Sequence, residues 1–210
     1  MARRTRVAAL ALAGALTLTG ALTLAACSRP ANEAPVVNAR GGATGPATLA
    51  PQVAGTRDDP LHPGQSHLLV TGSAWTVALL DADLDAVVAT PQAVPPNRRP
   101  AAGETFVVGT FRLTISAPAV TAQGGDLASE GASAWQSLHY AYVGADGTAY
   151  DGATGTPCAT AAPLLLADPL WADGATATGD VCVAVPSAQV AGGWWRVSNG
   201  AGDALYFAPK

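Results

Sequence analysis

The feature that most constrains this chain is a two-residue alternation of side-chain character, clearest in "ETFVVGTFRLTISAP". There Val107, Phe111, Leu113 and Ile115 fall on one side, and Phe106, Val108, Thr110 and Arg112 on the other. Such a period belongs to extended strands, in which successive side chains point to opposite faces. The same period places Trp75, Val77 and Leu79 together in "SAWTVALLDADLDAVVAT", and Val181, Val183 and Val185 opposite Cys182 and Ala184 in "TATGDVCVAVP", which Pro186 closes. "WQSLHYAYVGADGTAY" reads as a strand, an Asp146-Gly147 hairpin signal and a return strand from Thr148 to Tyr150. "GWWRVSN" and "ALYFAP" supply two more short strands. Seven or eight strands with turn signals between them predict an all-β, two-sheet antiparallel sandwich, with a closed barrel as the other arrangement of that strand number. Helical periodicity is absent apart from one turn expected near Pro163 to Pro169.

The front of the chain has another character. Arg3, Arg4 and Arg6 precede an uncharged Ala- and Leu-rich run that ends in Leu24-Ala25-Ala26-Cys27. A basic head, an apolar middle and a small-residue end are the layout of a secretory signal. The "LAAC" ending resembles a bacterial lipobox, which implies that residues 1–26 are removed and that Cys27 carries a diacyl anchor. Residues 27–55 hold Pro, Gly, Ala and Thr, no aromatic residue and no apolar period. They read as a flexible linker, because such a segment buries too little to offset its ordering entropy. Residues 56–210 are a usual length for one domain.

Cysteine usage fits that division. With Cys27 assigned to the lipid, Cys158 and Cys182 remain as a pair in an oxidising compartment. A bridge between them would contribute roughly 3 kcal/mol in the chain-entropy account. Two free buried thiols are the other reading, and neither cysteine has a second ligand at metal spacing.

Charge bounds the partners. After loss of the three leading arginines the chain keeps eight of eleven basic residues and all fifteen acidic ones, a net of −7. That balance offers no footprint for nucleic acid and no attraction to anionic headgroups. Attachment to a membrane would therefore come from the acyl chains alone. Ten of the eleven basic residues are Arg, a bias that suggests a high-GC, actinobacterial genome.

Few constellations suggest chemistry. Asp81, Asp83 and Asp85 alternate and would share one strand face; a calcium site could use them, and so could an edge protected by charge. No EF-hand loop follows them. His62, His67 and His139 are the three histidines, with nothing in their spacing to bring them together. "GASAW" and "GQSHL" both fail the nucleophile-elbow pattern, and no phosphate-binding Gly-rich loop is present. No catalytic residue, metal ligand or cofactor is assigned. Trp194 and Trp195 are adjacent, so one faces the core and the other the opposite side, and together they are the candidate interaction surface.

The order of "TRDDPLHPGQ", "WTV", "GETFVVGTFRLTIS", "ADGTAYDG", "LWADGATATGDVCVAVP" and "GWWRV" resembles the immunoprotective extracellular, immunoglobulin-like domains of actinobacterial secreted antigens and lipoproteins. The resemblance spans about Thr56 to Pro209 and implies an immunoglobulin-like sandwich with one disulfide, Cys182 paired with an upstream cysteine. It also implies a binding or interaction module of the cell surface, without shared catalytic residues. The chain departs from the pattern between Ser116 and Trp135, where a longer loop replaces a short polar turn, and long loops often carry binding function. The functional expectation is thus a membrane-anchored extracytoplasmic lipoprotein presenting this module to a protein or envelope partner. A metal- or small-solute-binding lipoprotein is the alternative.

Overall fold

The computed structural model describes residues 54–87 and 99–210. The signal segment, Cys27 and the linker up to residue 53 lie outside the described residues. Long alternating stretches become long strands. β1 spans Ser66–Leu68, β2 Trp75–Asp83 and β3 Glu104–Ile115; β4 and β5 span His139–Val143 and Ala149–Tyr150; β6 spans Thr176–Pro186, β7 Trp194–Ser198 and β8 Ala204–Phe207. They form two antiparallel sheets, ordered β1-β2-β3-β6 and β5-β4-β7-β8. β3 is the spine of the first, with β2 on one side and β6 on the other, Phe111 lying opposite both Leu79 and Gly179.

The two inner faces close on one core. Trp75, Val77, Leu79, Val107, Phe111, Leu113, Val181, Val183 and Val185 from one sheet meet Tyr140, Tyr142, Trp195, Val197, Leu205 and Phe207 from the other. The all-β sandwich and its strand number follow the sequence expectation. The immunoglobulin-like character holds as architecture: in a constant-type immunoglobulin domain strands B and C already lie in different sheets, whereas here β1, β2 and β3 form one consecutive meander before the chain crosses over.

At the centre Trp195 is fully buried. Phe111 and Tyr142 meet it edge-on, at 5.4 Å and 5.6 Å between ring centroids, the favoured arrangement of aromatic quadrupoles. The indole fits because β3 carries no side chain at Gly109, where a Cβ would lie 2.7 Å from the Trp195 ring. A glycine inside a strand ordinarily weakens it; here it makes room for the largest side chain of the core.

β2 contains a bulge between Leu79 and Asp81. Without it, Asp81 and Asp83 would continue the face of Trp75, Val77 and Leu79 and enter the core. The extra residue, Leu80, changes the parity, and both carboxylates are exposed.

Two expectations need correction. The stretch 116–135 is largely helical, with α1 at Ala117–Ala122, α2 at Leu127–Glu130 and α3 at Ala134–Ser137. Ser116, Asp126 and Ser133 cap them, their side-chain oxygens accepting from the N–H groups of Ala119, Ala128 and Gln136. The strand expected from Trp135 consequently starts at His139. A fourth short helix, α4, covers Ser187–Val190, and a 3-10 turn at Leu164–Leu166 occupies the place expected for a turn. The packed body also reaches back to Gly55, inside the expected linker. Gly55 is buried, and its carbonyl accepts from the Tyr206 N–H at 2.8 Å.

Gly109→Val should lower stability by about 3 kcal/mol or more in urea unfolding, as overpacking does in a filled core. The milder Gly109→Ala should lose less when combined with Trp195→Phe than the two single losses added together. Additive losses would place the cost of Gly109→Ala in the strand backbone and away from the indole.

Candidate interaction surface

The structure separates the two adjacent tryptophans. Trp195 belongs to the core and cannot contribute to a surface, which corrects its place in the candidate pair. Trp194 is half-buried on the opposite face, with the Arg57 guanidinium 5.1 Å above its ring. That cation–π contact covers part of the face a partner would use.

The exposed aromatic lies elsewhere. Between Leu164 and Trp171 the chain reads "LLLADPLW", and Leu165, Leu166 and Trp171 are 57%, 76% and 53% exposed. Single exposed apolar residues need no explanation, but three within one short segment do. The segment is held on both sides. Leu164 is buried against Gly179, where a Cβ would lie 2.6 Å from the Leu164 Cα. The Asp180 N–H donates to Ala162 O at 2.8 Å, and Leu170 exchanges two hydrogen bonds of 2.8 Å with Ala132. The Trp171 ring lies against Gly131, whose φ of 65° suits glycine. Three apolar side chains are thereby presented on fixed backbone.

Upstream, the expected disulfide is formed between Cys158 and Cys182, with Cα atoms 5.9 Å apart. It lies on the outer face of β6 and fixes the connection that leads into this segment. Gly155 lies against Ala184, and the Thr156 hydroxyl donates to Glu104 Oε2 at 2.6 Å. The same connection begins beside an open cleft of about 530 Å³ at the start of β4, lined in part by Trp135, Gln136, His139, Tyr140 and Asp151. Trp135 stacks parallel on Tyr140 at 5.7 Å, and Tyr140 in turn packs on Phe111 at 5.5 Å.

The remaining candidates are dispersed. Asp81 sits opposite Thr110, whose hydroxyl donates to Asp180 Oδ1 at 2.7 Å. Asp83 Oδ1 accepts from the Asp85 N–H at 3.0 Å, and Asp85 Oδ1 accepts from Thr105 Oγ1 at 3.1 Å. His62 and His67 are exposed ahead of and within β1, His67 Nδ1 bonding to Leu68 O at 2.9 Å, while His139 opens β4 in the other sheet. Among the described residues no group of three or more His, Cys, Asp or Glu side chains converges as a metal site. Nor is any helix among them long and apolar enough to cross a membrane. Leu165 and Leu166 show no strand or helix period because they sit between Pro163 and Pro169, and Trp171 follows Pro169 in the same irregular segment. Their signal is the apolar triplet Leu164–Leu166 itself, longer than one buried turn needs.

No family model matches the chain, and no curated protein matches it. Among solved structures it is similar to a conserved hypothetical protein from Bacillus anthracis, at 12% identity and a TM-score of 0.35, covering 64% of this chain and 88% of the other.

Burial governs the two core tyrosines. It pushes the Tyr142 phenol up to about 12 from 10.0, and that of Tyr140 higher still. Their hydroxyls donate to Val190 O at 2.6 Å and Ala134 O at 3.2 Å. A raised acid pKa means that the folded state keeps a proton the unfolded state gives up. This contribution is complete below about pH 10 and is lost as pH climbs through 10 towards 12. The urea midpoint should fall steeply above about pH 10, and Tyr142→Phe should reduce that fall. Absorbance near 295 nm should show Tyr140 and Tyr142 ionising only with unfolding; ordinary titration of both in the folded protein would contradict their burial.

Proposed function

We propose that this protein is a lipoprotein anchored through Cys27 on the extracytoplasmic face of the cell membrane, where its β-sandwich acts as an interaction module for a protein or envelope component. The role is binding, without catalysis. The observation that carries the binding reading is the rigidly held apolar segment, with Leu165, Leu166 and Trp171 projecting from the sandwich. Rigid presentation favours association because less side-chain and loop entropy is lost on contact, and tryptophan is enriched among residues that dominate interface energy. The location rests on the basic head, the apolar run and the "LAAC" ending of the signal. The Cys158–Cys182 disulfide agrees with an oxidising compartment. The resemblance to immunoprotective extracellular, immunoglobulin-like domains points the same way, and we carry it as part of this proposal.

Two experiments test the two halves separately. Metabolic labelling with a palmitate analogue should mark the wild type and leave Cys27→Ala unmarked; equal labelling of both would refute the anchor. Cross-linked capture from detergent-solubilised envelope should recover a partner with the wild type. Leu166→Asp and Trp171→Ala should each reduce recovery severalfold or more, as loss of an interface anchor does. Leu166 is largely exposed, so Leu166→Asp should leave the melting temperature unchanged, whereas Trp171→Ala uncovers Gly131 and should lower it only slightly. Undiminished capture by the double variant would remove this surface from the proposal.

A further inference from the structure

A second feature deepens the binding role. The cleft at the start of β4 lies between that strand and the chain just past β5. β5 pairs with β4 only at Tyr142 and Val143, and the hairpin closes with the Gly144 N–H donating to Thr148 O at 2.8 Å. In an antiparallel ladder, residues two apart direct their N–H and C=O to the same side. Gly144, Tyr142 and Tyr140 therefore all direct theirs towards β5. β5 has ended before it reaches Tyr140, so the Tyr140 backbone donor and acceptor face the cleft.

Around them stand a flat ring and several polar side chains. One face of the half-buried Trp135 indole is stacked on Tyr140, which locks the ring's orientation against the core. Asp151 is fixed by a local turn, its Oδ1 accepting from the Ala153 N–H at 3.0 Å and its own N–H donating to Thr154 Oγ1 at 3.0 Å. His139 and Gln136 are exposed at the rim. The Gln136 N–H is engaged with Ser133 Oγ, and its side-chain amide offers two donors and an acceptor. None of the lining residues is Lys or Arg, and Asp151 is the one carboxylate among them.

We infer that this cleft binds a neutral saccharide. The apolar C–H face of a pyranose ring matches a fixed indole, and its hydroxyls, each both donor and acceptor, match the mixed set of Asp151, Gln136, His139 and the Tyr140 backbone. Phosphorylated or uronic ligands lack a cation here and would meet the Asp151 charge. The cleft volume of about 530 Å³ suits a short glycan more than a single sugar. This inference rests on the binding role proposed above and concerns a different surface from the Leu165, Leu166 and Trp171 segment.

The test is calorimetric titration of the domain with chitotetraose, mannotetraose and cellotetraose, with tetragalacturonate as the anionic comparison. At least one neutral tetrasaccharide should bind with a Kd below about 1 mM, and tetragalacturonate should not. Trp135→Ala should weaken that binding at least tenfold. Because Trp135 also covers Tyr140 and its removal could disturb the fold, Gln136→Ala serves as the conservative variant. It should weaken binding about fivefold, the loss of one net hydrogen bond, with an unchanged melting temperature. Trp171→Ala should bind the glycan like wild type. Absence of binding by all three neutral probes, preference for the anionic one, or affinity unaltered in folded Trp135→Ala and Gln136→Ala would each overturn the inference. Partner capture through Trp171 would stand in every one of those cases.

Discussion

The seating of Trp195 over Gly109 is the contact on which the rest of the sandwich depends. The ring comes from β7 in one sheet and the vacancy from β3 in the other, so one interaction sets how closely the two layers approach. Phe111 and Tyr142 hold the indole edge-on from opposite sheets, and Phe111 also touches Tyr140 and Phe207. Interior packing is dense, and the Trp195 ring fills the space that a side chain at position 109 would take. Through Tyr140 the same network extends to Trp135, so the cleft at the start of β4 inherits its rigidity from the core.

A second level of organisation lies outside the core. The connection from β5 to β6 is long and irregular, and three unlike devices hold it: the Cys158–Cys182 disulfide, the Thr156–Glu104 hydrogen bond and the bare backbone of Gly179 beneath Leu164. All three attach it to the first sheet. An irregular segment needs such attachments because it has no ladder of its own to satisfy its backbone. The exposed leucines and Trp171 are thus carried by a connection attached to the first sheet at three points. On the opposite side of the molecule's chemistry, the acidic alternation after Leu79 is explained by parity: burying two unpaired carboxylates would be costly, and a single bulged residue avoids it.

Much of the sandwich was legible in the sequence because β2, β3 and β6 are long enough to show their period, and because Asp146-Gly147 marks a hairpin. The bulge was legible in principle, since carboxylates at positions 81 and 83 contradict the face set by Trp75, Val77 and Leu79. The helices α1 to α3 were not, since one or two turns cannot display a 3.6-residue period; only the caps Ser116, Asp126 and Ser133 announced them. The Trp194-Trp195 pair showed that one ring would be buried, but not which, because that depends on where Gly109 lies in the facing sheet. Trp171 was missed for a related reason. Exposure of an apolar residue in an irregular segment is decided by tertiary contacts, here those of Gly131 and Ala132, and local pattern does not encode it.

The unequal depths of the tryptophans have an optical consequence. An excited indole lowers its energy by turning nearby dipoles, so emission shifts to the red in water and stays blue where dipoles are scarce. Trp195 is fully buried, and its Nε1 has no hydrogen-bond partner among the described residues. Trp171, at 53% exposed, sits at the other extreme. The native spectrum therefore superposes a blue edge from buried Trp195 and Trp75 and a red edge from Trp171, with half-buried Trp135 and Trp194 in between. An external quencher reaches the second far more readily than the first. Core integrity and surface occupancy can be followed in one cuvette, without a label.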